Sequence, residues 1–158
     1  MVAGLLGARG QQPTSDLISD ADKADIIESV LDLEVRNQNS VPDFANIRNV
    51  SSDNIEFIEP SRLSTHGFKL VAASYLRESR KDHVIEYLLF KKISLRDRVA
   101  VVVLSRVTEG RPCFSAAFSR ERSYTYESRR TSNGWLAQLT RRPAPMISFA
   151  PKRSAVTP

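Results

Sequence analysis

From Ala21 to about Arg36 the apolar residues recur at Ala24, Ile27, Leu31 and Val35, with Ile26, Val30 and Leu33 beside them. Lys23, Glu28, Asp32 and Arg36 take the opposite side. This spacing predicts an amphipathic helix with a broad apolar stripe. Ser19 and Asp20 offer an N-cap, and Asp22 and Asp25 suit the unpaired N–H groups of a first turn. Asn37 to Ser40 and then Pro42 end the helix. Residues 40–67 read as irregular and polar, with Glu56-Phe57-Ile58 as a short strand before Pro60. Phe68 to Ser74 reads as a strand and Tyr75 to Asp82 as a charged helical turn. The pattern then becomes that of an antiparallel meander. Its strands are His83 to Ile93, Val99 to Thr108, Cys113 to about Arg130, and Trp135 to Arg141. Leu95-Arg96-Asp97-Arg98, Glu109-Gly110-Arg111-Pro112 and Thr131-Ser132-Asn133-Gly134 are the turns between them, the last carrying the Asn-Gly hairpin signal.

Val99-Ala100-Val101-Val102-Val103-Leu104 is apolar at both parities. Successive residues of a strand point to opposite faces, so both faces of the sheet must be covered here. The helix can cover one. The other calls for a sheet that closes on itself, a second subunit or a lined pocket. The expected fold class is therefore α+β: an N-terminal helix packed on a curved antiparallel meander of four to five strands. One domain spans residues 19–142, with disordered tails at 1–18 and 143–158. The order of elements over residues 20–36 and 68–141, with Asn133-Gly134-Trp135 opening the last strand, resembles the nuclear transport factor-like and cystatin-like α+β folds. It is also similar to small uncharacterised bacterial proteins. In the first group the cone between sheet and helices often holds a small-molecule pocket. Many members are binding or dimerisation modules and some are enzymes. A single strong helix favours the simpler cystatin-like version.

Charge changes this picture more than composition does. Hydrophobic content of 41% and charged content of 26% over 158 residues are ordinary for one globular domain. Residues 1–70 hold 6 Lys/Arg against 11 Asp/Glu, whereas residues 71–158 hold 17 against 7. An acidic helix and a basic sheet would attract each other, and the basic half could also face an anionic partner. No stretch is long and apolar enough to span a bilayer. Residues 1–10 look like the end of a secretory signal, or else a frayed tail. The expected compartment is cytoplasmic by default, and secreted or periplasmic if a signal has been cut off.

Motifs for chemistry are sparse. Cys113 is the only cysteine, which excludes an intrachain disulfide and a thiolate zinc cluster, and it reads as a small buried hydrophobe. The two histidines, His66 and His83, cannot form a three-histidine zinc site, and both read as surface residues. No phosphate loop, dinucleotide fingerprint or nucleophile elbow occurs. No cofactor and no metal are expected. Asn49-Val50-Ser51 fits the glycosylation pattern, a short one that is common by chance.

Along the long strand, Phe114, Ala116, Phe118, Arg120, Arg122, Tyr124 and Tyr126 fall on one parity. Guanidinium groups beside aromatic rings can stack on them and hold a carboxylate or phosphate. Arg120, Arg122, Tyr124 and Tyr87 are thus the candidate ligand-binding set. The competing reading has both arginines in water and the aromatics in the core. The function expected first is a non-catalytic binding or interaction module that takes an anionic small molecule on the concave sheet face, or pairs with a second copy. The alternative is a small isomerase- or hydrolase-like enzyme for an anionic substrate, with His83 or Tyr87 as proton carrier. Nucleic-acid binding ranks third, because no RNA-recognition signature is present and Arg129-Arg130 and Arg141-Arg142 sit at strand ends, where solvated charge is routine.

Overall fold

The computed structural model describes residues 18–40, 47–96, 98–111 and 116–141. The tails expected at 1–18 and 143–158, apart from Ile18, lie outside these ranges, as do Pro42, Asp97, Pro112, Cys113 and Phe114. Helix α1 spans Asp20–Ser40. Ser19 Oγ accepts the Asp22 N–H at 3.1 Å and donates to the Asp22 carboxylate at 2.9 Å, so the cap and the third helical residue satisfy each other. Ala24, Ile26, Ile27, Val30 and Leu31 are buried as the periodicity requires. The stripe then continues through Glu34 and Gln38, both buried, while Val35 is only half-buried.

The remaining elements are β1 (Asn49–Ser51), α2 (Pro60–Ser64), β2 (Lys69–Val71), α3 (Ala73–Ser79), β3 (Val84–Arg96), β4 (Val99–Gly110), β5 (Phe118–Thr131) and β6 (Gly134–Arg141). They form one α+β unit with a six-stranded sheet of order β2-β1-β3-β4-β5-β6, which does not close. The expected four to five antiparallel strands are therefore corrected to six in a mixed sheet. The long strands β3 to β6 pair antiparallel, but β1 is parallel to both β2 and β3. β1 and β2 have three residues each, too few to show a period of two. Glu56-Phe57-Ile58 is a turn rather than a strand. The segment that reads as irregular and polar nonetheless gives Ile47, Val50, Ile55, Ile58 and Leu63 to the core beside α1.

Ladder partners share a face, so the register assigns each side chain a side. Ala100, Val102 and Leu104 of β4 lie with Leu88, Phe90, Tyr124 and Tyr126 under α1, in one cluster. The opposite face carries Val99, Val101, Val103, Ser105 and Val107. There α3 covers one end, where Leu76 packs with Val71, Tyr87 and Val107. Val99, Val101 and Val103 remain half-buried on a sheet that ends at free edges. β4 is thus a central strand with one sealed face and one partly sealed face.

The β5–β6 turn departs from the Asn-Gly expectation. Thr131 pairs with Gly134, leaving Ser132-Asn133 as the loop, and among these residues only Gly134 has positive φ (111°). The glycine therefore follows a two-residue loop instead of sitting inside it. Gly110, at φ 144°, closes β4 against Val84; a Cβ there would lie 2.0 Å from the His83 carbonyl oxygen. Because that obstacle is backbone, Gly110→Ala is expected to lower stability by about 2 kcal/mol or more in urea unfolding. Gly134→Ala has open space around its Cβ and bears only the backbone strain, so it should cost less.

Candidate functional site

Three of the four sequence-derived candidates share a face, but they do not make a site together. Arg122 lies opposite Arg106 and Arg120 opposite Thr108, on the parity of Tyr124. Both arginines are exposed and Tyr124 is buried. The Tyr124 ring is already taken: the Arg106 guanidinium stands 4.9 Å from its centroid. Arg106 in turn donates from Nε and Nη2 to Glu34 Oε2 at 3.1 and 2.5 Å, and the Tyr126 hydroxyl donates to Glu34 Oε1. The Glu34 side chain is 1% exposed and that of Arg106 10%. Burial first, and then the Glu34 carboxylate, push the Tyr126 phenol well above its ordinary pKa, so it stays a donor. This buried ionic network is a structural feature of the helix–sheet interface.

Tyr87 lies on the other face. Its ladder partner is Val107, whose partner in turn is Glu121, on the parity opposite to Tyr124. Its hydroxyl donates to Glu109 Oε1 at 2.8 Å, and Arg80 holds Glu109 Oε2 at 3.3 Å. Burial, then this hydrogen bond, raise the Tyr87 pKa. It lines a small cleft of about 220 Å³ with Arg77, Arg80, Asp53 and Ser51. The expected grouping of Tyr87 with Arg120, Arg122 and Tyr124 is therefore corrected, because the strand alternation sends them to opposite sides.

A larger cleft of about 630 Å³ opens where α1 begins and the β3–β4 and β5–β6 hairpins end. Ile18, Leu95, Val99 and Trp135 supply apolar walls, and Arg98, Arg129 and Arg130 supply cations. Among the described residues, Asp22 is the one acid lining it. Asp22 is fully engaged: besides the Ser19 cap, its Oδ1 accepts the Trp135 indole N–H at 3.4 Å and lies 3.7 Å from Arg130 Nη1. The Ser19 hydrogen bond, then that of Trp135, hold its carboxyl below the ordinary 3.8, and Arg130 adds to this. Arg129 reaches Glu127 at 3.5 Å, whereas Arg98, at φ 63° in the hairpin turn, has no carboxylate partner among the described residues. Loop residues that place charge on an apolar floor are a common way to build a binding site. The separate adjacent residues Arg129-Arg130 read only as strand-end charge; the available signal was that two hairpin ends and a helix start must converge.

His83 is exposed, and His66 Nδ1 lies 2.5 Å from Asp32 on the polar side of α1, so neither lines these clefts. Among the described residues no group of three or more His, Cys, Asp or Glu side chains could hold a metal ion, and no helix is long and apolar enough to cross a membrane. Asn49-Val50-Ser51 forms β1, inside the sheet. No protein-family model, curated protein or solved structure matches the chain.

Two outcomes follow from these contacts. Glu34→Ala should lower stability by about 3–5 kcal/mol, since the mostly buried Arg106 guanidinium would lose both of its hydrogen bonds to this carboxylate. The double variant Glu34→Leu/Arg106→Leu should lose less than the single one; additive losses in urea unfolding would contradict the pairing. The depressed Asp22 pKa means that its latch on Trp135 is fully formed above the ordinary carboxylate range and is lost only as pH falls through the lowered value. Tryptophan emission should therefore stay constant from neutrality down to about pH 4 and change below it, with circular dichroism separating this from unfolding.

Proposed function

We propose that the protein is a non-catalytic binding module for an anionic small molecule, and that the accepting surface is the cleft between the two hairpin ends. The reading is supported by one observation above others. Among the described residues, three arginines surround an apolar floor whose single carboxylate is already committed to Trp135, Arg130 and Ser19. Such a site offers exposed cations for charge-assisted hydrogen bonds and apolar side chains for the rest of a ligand to pack on. The resemblance of the element order to nuclear transport factor-like and cystatin-like folds would imply a binding role of this kind. Arg120 and Arg122 carry the same charge but lack a floor. The enzyme alternative finds less support, since Tyr87 is held protonated by burial and Glu109, and His83 faces water.

Benzoate and sulfate are suitable first probes, with binding followed by calorimetry. Arg98→Ala/Arg130→Ala is expected to weaken binding by roughly 10- to 100-fold, as a charge-assisted hydrogen bond contributes about 1.5–3 kcal/mol. Arg120→Ala/Arg122→Ala should leave it unchanged. The opposite pattern, or no binding of either anion, overturns the proposal.

A further inference from the structure

The chemistry of the cleft narrows its ligand. The indole N–H of Trp135 is spent on Asp22, so this residue has only its ring to offer. Half-buried and held in place by that hydrogen bond, the ring is a fixed apolar plane beside Leu95, Val99 and Ile18. The cationic side is limited as well. Arg130 shares its charge with Asp22 and Arg129 with Glu127, while Arg98 has no carboxylate partner among the described residues. Among the described residues, one guanidinium without a carboxylate partner and one shared one suit a single carboxylate, which an arginine can grip with two parallel N–H groups. A polyphosphate would need more unshared charge. The volume of about 630 Å³ lies within the range of sites that take ring-sized organic ligands and is far more than a lone inorganic anion fills.

We infer that the cleft recognises a flat aromatic monocarboxylate, its ring lying against Trp135 and its acid group between Arg98 and Arg130. This rests on the reading of the cleft as the binding site. Asp22 acts as a positioning residue: it fixes the indole and Arg130 relative to each other without touching the ligand.

Trp135 is the only tryptophan in the chain, so its emission reports the cleft directly. The full-length protein is titrated with 1-naphthoate, cyclohexanecarboxylate, inorganic phosphate and a single-stranded oligonucleotide, by fluorescence and calorimetry. Naphthoate should quench Trp135 and bind about 2- to 10-fold more tightly than cyclohexanecarboxylate, the range expected for ring–ring contact beyond area alone. Trp135→Leu should abolish that preference and keep the weaker carboxylate binding. Trp135→Phe retains a ring and should retain the preference, which guards against a fold defect in the leucine variant. Asp22→Asn should reduce the naphthoate preference, because the indole loses the carboxylate acceptor that holds it. Equal affinities for the two carboxylates, both lost in Arg98→Ala/Arg130→Ala, would overturn the aromatic inference and leave the anion-binding reading intact. Phosphate or oligonucleotide binding more tightly than naphthoate would also overturn it. Failure of every anion, or binding indifferent to those arginines, would remove the underlying reading.

Discussion

Glu34 has no exposed surface, and that burial is tolerable only because Arg106 and Tyr126 occupy both of its oxygens. An unpaired carboxylate at this depth would cost several kcal/mol, so α1 can slide or rotate on the sheet only by breaking the network. The rest of the helix side follows from that fixed phase. Ser29 meets Ser128 at 3.0 Å and Asp22 meets Trp135, so polar contacts run along α1 from β4 and β5 to β6. Twelve residues of helix separate Glu34 from Asp22, a rigid span of roughly 18 Å. The core network thereby sets where the first turn of α1 stands against the hairpin ends, and with it one wall of the cleft.

The second constraint is the valine-rich strand β4. Its inner row is sealed by α1 and by the Ile55, Ile58 and Leu63 segment. Its outer row is sealed only where α3 brings Leu76 onto Val107 and Tyr87. Farther along, Val99, Val101 and Val103 depend on neighbouring side chains, and pairs such as Lys91–Glu121 and Arg129–Glu127 flank them. Half-burial of branched aliphatic residues on an antiparallel sheet is within what that architecture tolerates. The requirement for two covered faces is therefore met on one side and relaxed on the other.

The helix and the four long strands were legible because each is long enough for its periodicity to speak. β1 and β2 were not, since three residues cannot establish alternation and their pairing is non-local. Glu34 was legible in hindsight: it follows Ile27 and Leu31 at helical spacing, a carboxylate on an apolar stripe, just as Arg106 follows Ala100, Val102 and Leu104 at strand spacing. A charge at a core position on each of two elements is a signal that they pair. Arg120 and Arg122 followed the expected parity and yet stand in water. Parity fixes a face, but whether that face is roofed depends on where the helix ends. The cleft was the least legible feature, being assembled from residues 18–22, 95–99 and 129–135, which no local pattern connects.

The division of charge along the chain now has a spatial meaning. Asp25 and Glu28 bind Arg62, and Asp32 faces His66, so much of the acidity of α1 is answered from α2 and the loop after it. Asp22 and Glu34, by contrast, reach arginines of the sheet. The basic half therefore keeps a surplus, and it appears at both ends of the long strands. At one end Arg120 and Arg122 stand in water, where a contact between unit charges at 4 Å is worth about 1 kcal/mol. At the other, Arg98 and Arg130 are exposed as well, but they flank Leu95, Val99 and the half-buried Trp135, so a ligand held there can also bury apolar surface. Equal charge is thus unequal in consequence, and the apolar floor, more than the count of arginines, singles out the hairpin end as the place where an anion would be held.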